Sequence, residues 1–338
     1  MTSGSPRIGI IADTTLQGHL LSSAVRGQGY EVAVNSDPGN IELHWLSSDK
    51  LDLWVVDLNH EDRWQNFLDQ LLEDTSKPIL FSDGQAPARN SPLYPRWERR
   101  LLSKMLNYVG RPKVEVKLES LLPVRTAVNI PTPAEFRTLP MGASPQWVWV
   151  LGASLGGPTA VKLFLDCLPA ELPVAFILAQ HIDNGFLETL AGVLCRDNSF
   201  KCRVGYDGEQ LSHGTVLIAP VEYEVAFTEA GRLLSTGKVW EGPYSPSIDQ
   251  VISNVSARFK GRSGAILFSG MGNDGSIAGP LMTQHGAPLW AQDAGSCACS
   301  SQPDAARDTG CVSYSGSPEK LALALVEHVR QDIRRGLS

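Results

Sequence analysis

A chain of 338 residues exceeds one average domain, and its 43% hydrophobic and 19% charged content describes folded globular protein rather than disorder. A formal charge of −7 argues against nonspecific binding to nucleic acid or to anionic membranes. No apolar run reaches the roughly 20 residues that span a bilayer, and the opening MTSGSPRIGIIADTT lacks the basic and apolar regions of a secretory signal. The expectation is a cytoplasmic protein with no direct membrane insertion.

In the first hundred residues, short apolar runs alternate with helix-compatible segments. Strands are expected at 7–13, 30–34, 51–59 and 77–83, and helices at 16–28, 40–48, 61–74 and 96–108. Such βα alternation implies a parallel sheet with helices on both faces, whose ligand end is the carboxyl end of its strands. Asp13, Asp57, Ser82 and Asp83 fall at that end. Prolines at 112, 123, 131, 133, 140 and 145 mark 111–145 as a linker, although 113–122 reads as a candidate last element of the first domain. From 146 to 335 a second pattern begins. It has strands at 147–152, 173–180, 216–220 and 264–270, and helices at 158–168, 185–195, 247–259, 275–285 and 317–334. The fold expectation is therefore α/β: two doubly wound, mainly parallel-sheet domains, 1–110 and 146–335.

The second domain carries the chemistry. WVWVLGASLGGPTAV (147–161) reads as strand, tight glycine turn and helix, with Gly152-x-Ser154-x-Gly156 leaving a serine exposed on a sharp turn. The same turn also suits a phosphate cradle or an incidental serine. A nucleophilic serine needs a base and a group to orient that base. His181 follows a buried strand at its carboxyl end, although a packed strand-capping histidine fits there equally. Asp274 follows another strand at a glycine-rich turn, where it reads as an orienting acid, as a helix N-cap, or as both at once. Backbone N–H groups of Gly270-Met271-Gly272-Asn273 offer an oxyanion site. The six cysteines, Cys167, Cys195, Cys202, Cys297, Cys299 and Cys311, show no zinc spacing and read as free thiols.

The runs GASLGGPTAV, AQHIDNGF, APVEYE, PSID, FSGMGNDGSIAG and AQDAGSCACSSQPDAA, in this order, resemble the catalytic domain of bacterial chemoreceptor protein-glutamate methylesterases. The resemblance implies Ser154 as nucleophile, His181 as general base, Asp274 as the acid orienting His181 Nδ1–H, and the Met271 N–H as oxyanion donor. It implies no cofactor for catalysis. The implied substrate is methylated glutamate on the cytoplasmic helices of a chemoreceptor, with glutamine deamidation as a companion activity. Leu155, Glu222-Tyr223-Glu224 and Gln302 depart from the family pattern, which has a threonine, a stretch ending in histidine, and a methionine there. The first domain resembles the receiver (flavodoxin-like) domain that precedes such esterases, with Asp57 at the phosphoacceptor position, Ser82 at the hydroxyl position and a sensor histidine kinase as implied partner. Ala12 and Asp13 stand where a receiver carries two acidic residues for Mg²⁺, and Lys117 is a poor match to its lysine, so the domain reads as a degenerate receiver. Two readings from other classes stay open: a nucleotide- or phosphate-binding protein using the GASLGG turn, and a catalytically weak receptor-binding adaptor.

Overall fold

The computed structural model describes residues 5–59, 61–82, 86–88, 91, 93–110, 112, 129–138 and 144–336, which fall into two compact units divided between Glu115 and Val116. In the first unit, β1 (Arg7–Ala12), α1 (Thr15–Gly27), β2 (Glu31–Ser36), β3 (Leu53–Asp57), α2 (Gln65–Asp74), β4 (Ile79–Phe81) and α3 (Tyr94–Val109) follow one another. The four strands form a parallel sheet in the order β2-β1-β3-β4, the opening of the flavodoxin-like order. Residue alternation explains why β3 is buried throughout: LWVVD is covered on both faces, as expected of a central parallel strand. The helix expected at 40–48 is only a short 3₁₀ turn at Leu43–Trp45. Asp37 explains this, because its side chain accepts from Gly39 N and Asn40 Nδ2 and closes a turn that competes with helix. Asp83, Lys117 and the element expected at 113–122 lie outside the described residues.

The second unit is built on β5 (Trp147–Ala153), α4 (Gly157–Cys167), β6 (Val174–Gln180), α5 (Leu187–Leu194), β7 (Lys201–Val204) and β8 (Thr215–Ile218). A hairpin, β9 (Val225–Phe227) and β10 (Leu233–Ser235), leads to α6 (Ile248–Phe259), β11 (Ser263–Leu267) and α7 (Gly279–Gln284). The chain closes with β12 (Leu289–Gln292), α8 (Ser301–Asp308), β13 (Val312–Gly316) and α9 (Pro318–Gly336). Seven strands make one all-parallel sheet in the order β13-β12-β11-β5-β6-β8-β7. Alternation along β5 divides the core. Trp147, Trp149, Leu151 and Ala153 face one layer with residues of α4, α5 and α9, while Val148 and Val150 face another with residues of α6 and α7. The chain leaves β5 toward β6 and later returns to β5's other side as β11, so strand order reverses at β5 and β11. In open α/β sheets the crevice beyond that reversal receives the ligand.

The sequence reading passed over β7, β12, β13, α8 and the β9–β10 hairpin. β7 and β13 are the sheet's two edges, and their partly exposed runs lack the continuous apolar signal of the centre. The helix expected at 275–285 begins only at Gly279, because Gly275 sits at φ 96° and Pro280 opens the helix. No helix among the described residues is long and apolar enough to cross a membrane.

Within the proline-rich stretch, part of the described segment 129–138 is packed. Ile130 and the fully buried Phe136 join the core beside Trp147 and Leu325, and Glu135 pairs with Arg330 at 3.3 Å and Arg334 at 2.7 Å. Truncating a buried phenylalanine costs about 3–5 kcal/mol. Phe136→Ala should therefore lower the stability of the second unit by that order in urea unfolding, whereas a spacer role for this segment would leave it unchanged.

Candidate active site

The carboxyl ends of β5, β6 and β11 bring Ser154, His181 and Asp274 to one crevice. Ala153 pairs with Gln180 across β5 and β6, so Ser154 and His181 are the next residues on adjoining parallel strands, and His181 N donates to Ala153 O at 3.0 Å. On the other side Ser154 N donates to Ser269 O at 3.1 Å, which extends the β5–β11 ladder. Ser154 thus stands at the reversal of the sheet, only partly buried. Two glycines permit this turn. A Cβ on Gly152 would lie 2.6 Å from Ile248 Cγ2, and Gly156, at φ 74°, would bring one to 2.5 Å from Ala298 Cβ. Gly156 also caps α4, whose N-terminus faces the turn with its positive dipole end.

His181 Nε2 lies 2.9 Å from Asp274 Oδ2. Asp274 is fully buried, and Oδ2 also accepts from Ile248 N at 2.7 Å while Oδ1 accepts from Asp249 N and Gly275 N, each at 3.1 Å. A carboxylate among donors can only accept, so the imidazole carries its proton on Nε2 and keeps Nδ1 as its basic nitrogen. Two expectations are corrected here. The nitrogen that meets Asp274 is Nε2, not Nδ1, because the ring enters the crevice from β6 with Nε2 toward α6. Nor does Asp274 cap the helix that follows it; its carboxylate caps α6, a helix that precedes it in sequence.

The turn at Gly270-Met271 is oriented by α8. Gly270 O accepts from Gln302 N at 3.0 Å and from Ser301 Oγ at 3.3 Å, and Gly270 N donates to Cys299 O at 2.9 Å. Because a trans peptide points its C=O and N–H in opposite directions, the Met271 N–H is turned away from α8. Among the described residues it meets no acceptor, while the next amide, Gly272 N, donates to Ser301 Oγ at 3.1 Å. The sequence reading named Met271 but missed α8, since backbone bonds and one ordinary serine hydroxyl, that of Ser301, leave no motif in the sequence.

The sequence reading also missed Tyr244. Its ring lies parallel to that of His181, with centroids 4.9 Å apart and an interplanar angle of 1°, and its hydroxyl bonds Asn273 Oδ1 at 3.3 Å. Of the departures from the family pattern, Glu224 is tied to Asn254 at 2.9 Å and Thr236 at 3.1 Å, and Glu222 accepts from Asn184 at 2.9 Å. All six cysteines are unbridged.

In the first unit Asp57 ends β3 opposite Ala12 and is 4% exposed. Both oxygens of Asp13 are engaged by Asn59, through its N–H at 2.8 Å and its side-chain amide at 3.0 Å. Ala12 offers no ligand, so these residues do not fit the acidic pair with which a receiver holds Mg²⁺. Burial and then the charge of Asp13 push the Asp57 carboxyl up from 3.8 to about 6.

Comparison with known proteins decides the family. Residues 149–325 match the family described as CheB methylesterase. The chain belongs to the CheB methylesterase family. It is 32% identical over 210 residues to a protein-glutamate methylesterase/protein-glutamine glutaminase 2 of Burkholderia pseudomallei, covering 62% of this chain and 61% of that protein. It is likewise 32% identical over 186 residues to a protein-glutamate methylesterase/protein-glutamine glutaminase 1 of Pseudomonas fluorescens, covering 55% of each. The chain thus spans less than two thirds of the length of these relatives. Its fold is shared with the crystal structure of the Thermotoga maritima CheB methylesterase catalytic domain, at a TM-score of 0.52 and 23% identity over 55% of this chain and 99% of that one.

Two outcomes test the local energetics. Gln302 is fully buried, and neither amide atom has a partner among the described residues. An unpaired buried polar group costs about 1–3 kcal/mol, so Gln302→Met should raise the urea midpoint of the second unit; a lower midpoint would mean that the amide is paired. For Asp57, the folded form holds its proton more tightly than the unfolded chain does. Stability should therefore fall as pH rises from 3.8 to about 6. Asp57→Asn should melt higher than the parent chain above that window and together with it below. Parallel melting curves at every pH would contradict this.

Proposed function

We propose that this chain is a serine hydrolase that removes methyl esters from glutamate side chains of chemoreceptor cytoplasmic helices, and that Ser154, His181 and Asp274 are its catalytic triad. The observation that carries the reading is the His181–Asp274 bond of 2.9 Å, formed where the neighbouring strand end presents Ser154. The relatives' names, which specify methylesterase and glutaminase activity on protein glutamate and glutamine, support this substrate class.

In this mechanism Ser154 Oγ attacks the ester carbonyl carbon and its proton passes to His181 Nδ1. Asp274 stabilises the imidazolium through Nε2. The carbonyl oxygen becomes an oxyanion that meets the Met271 N–H and the positive end of α4. Collapse breaks the bond to the methoxy group, which takes the proton from His181 and leaves as methanol. Water then attacks the acyl-enzyme, with His181 accepting its proton, and glutamate is released as Ser154 regains its hydrogen. A glutamine substrate passes through the same steps with ammonia leaving. No group of the triad requires a metal ion.

The first unit is proposed as a receiver-like regulatory domain, on the strength of its strand order and of Asp57 at the end of β3. The engaged Asp13 and the absent acid at Ala12 favour a domain that phosphorylates poorly if a sensor kinase meets it.

Methanol release from methylated receptor membranes tests the main reading. Ser154→Ala should abolish all but residual release without lowering the melting temperature. Asp274→Asn should cost on the order of 10⁴ in kcat, by analogy with the serine-protease example from which that magnitude comes. A Ser154→Ala variant that releases methanol at the parent rate overturns the mechanism, and a parent chain that binds receptors without releasing methanol supports an adaptor instead.

A further inference from the structure

Beside the proposed triad, the ring of Tyr244 lies against that of His181. Among the described residues, His181 is held by a single side-chain bond, Nε2 to Asp274. One bond fixes a point of the ring and leaves it free to tilt about that point, and a tilt carries Nδ1 away from Ser154. A misplacement of 1 Å at a reacting group costs about 10²-fold in rate. Something must hold the ring's face.

Resting on the hydrolase reading above, we propose that Tyr244 is a positioning residue that braces the imidazole of His181 and favours its charged form during proton transfer. Three observations carry this. The two rings are parallel within 1° at 4.9 Å, so the phenol covers one face of the imidazole and blocks tilt toward that side. Tyr244 is itself only 7% exposed, and its hydroxyl is anchored to Asn273, the residue before Asp274. Brace and acid are thereby fixed to the same turn, two residues from the Met271 amide. Finally, the face of an aromatic ring is electron-rich and attracts a cation within about 6 Å of its centroid. That attraction appears when His181 takes the serine proton and vanishes when it gives the proton up, so it acts on the transition state rather than on substrate binding.

The expected signature is a loss in kcat with little change in KM. Tyr244→Leu and Tyr244→Met remove the aromatic face at similar bulk, and Tyr244→Phe keeps the face and removes only the anchor to Asn273. On methylated receptor, the aliphatic variants should fall about 10-fold or more in kcat, and Tyr244→Phe should recover to within about threefold of the parent. A second readout needs no receptor: inactivation by phenylmethanesulfonyl fluoride, in which Ser154 Oγ bonds to sulfur, fluoride leaves and His181 accepts the proton. The aliphatic variants should inactivate about 10-fold more slowly, with Tyr244→Phe again close to the parent. A third follows the His181 ring protons by NMR, which should move downfield in the aliphatic variants as ring-current shielding is lost. Equal inactivation rates in parent and aliphatic variants overturn the proposal, as does Tyr244→Phe behaving like Tyr244→Leu. Unshifted ring protons overturn the stack itself. Failure of the parent to release methanol, with the sulfonyl fluoride pattern intact, would count against the receptor substrate and leave the brace supported.

Discussion

The site depends on one exchange of carboxylates. Asp274 accepts the first two N–H groups of α6, and Asp249, from the first turn of that helix, accepts Gly275 N at 2.9 Å and Ala278 N at 2.7 Å. Each acid caps the backbone that carries the other. Buried carboxylates are tolerated only when such donors surround them, and this reciprocal arrangement fills most of their acceptor sites with rigid backbone. The oxygen that faces His181 is thus fixed by a helix and a turn rather than by a mobile side chain. The helix end supplies a further electrostatic contribution, since its partial positive charge favours negative groups beside it.

A second constraint acts on the turn before Asp274. The segment 299–302 grips the peptide on both sides of Gly270, and Ser269 Oγ accepts from Cys299 N at 3.0 Å. Ala298 meanwhile closes against Gly156. The turns at Ser154 and at Gly270-Met271 therefore share one support, and a shift in either is felt by the other. Such preorganisation lets dipoles act on developing charge without having to reorient.

Much of this was legible in residues. Continuous apolar runs such as PVAFILAQ, closed by glycine turns, announced central parallel strands, and Ser154, His181 and Asp274 each stood at the end of one. What the sequence hid was long-range and backbone-borne. Asp274 looked like the cap of its own helix because local pattern cannot show α6 arriving from the other direction. The roles of α8 and Tyr244 depend on contacts across 29 or more positions, between backbone groups, a serine hydroxyl and a phenol of ordinary appearance. Edge strands such as β13, with VSYSG only partly covered, hold too few apolar residues to stand out from loops. The glycine at 40–48's threshold and the Asp37 turn were visible, but their weight against helix periodicity was not.

The support offered by 299–302 also has a meaning for biosynthesis. Ser154, His181 and Asp274 are all made before the segment 299–302, and the peptide that presents the Met271 amide is aligned by residues synthesised nearly thirty positions after it. A chain still emerging from the ribosome holds Ser154, His181 and Asp274 before it holds the residues that grip this peptide. The alignment of that peptide is therefore complete only once the start of α8 has been made and has folded back.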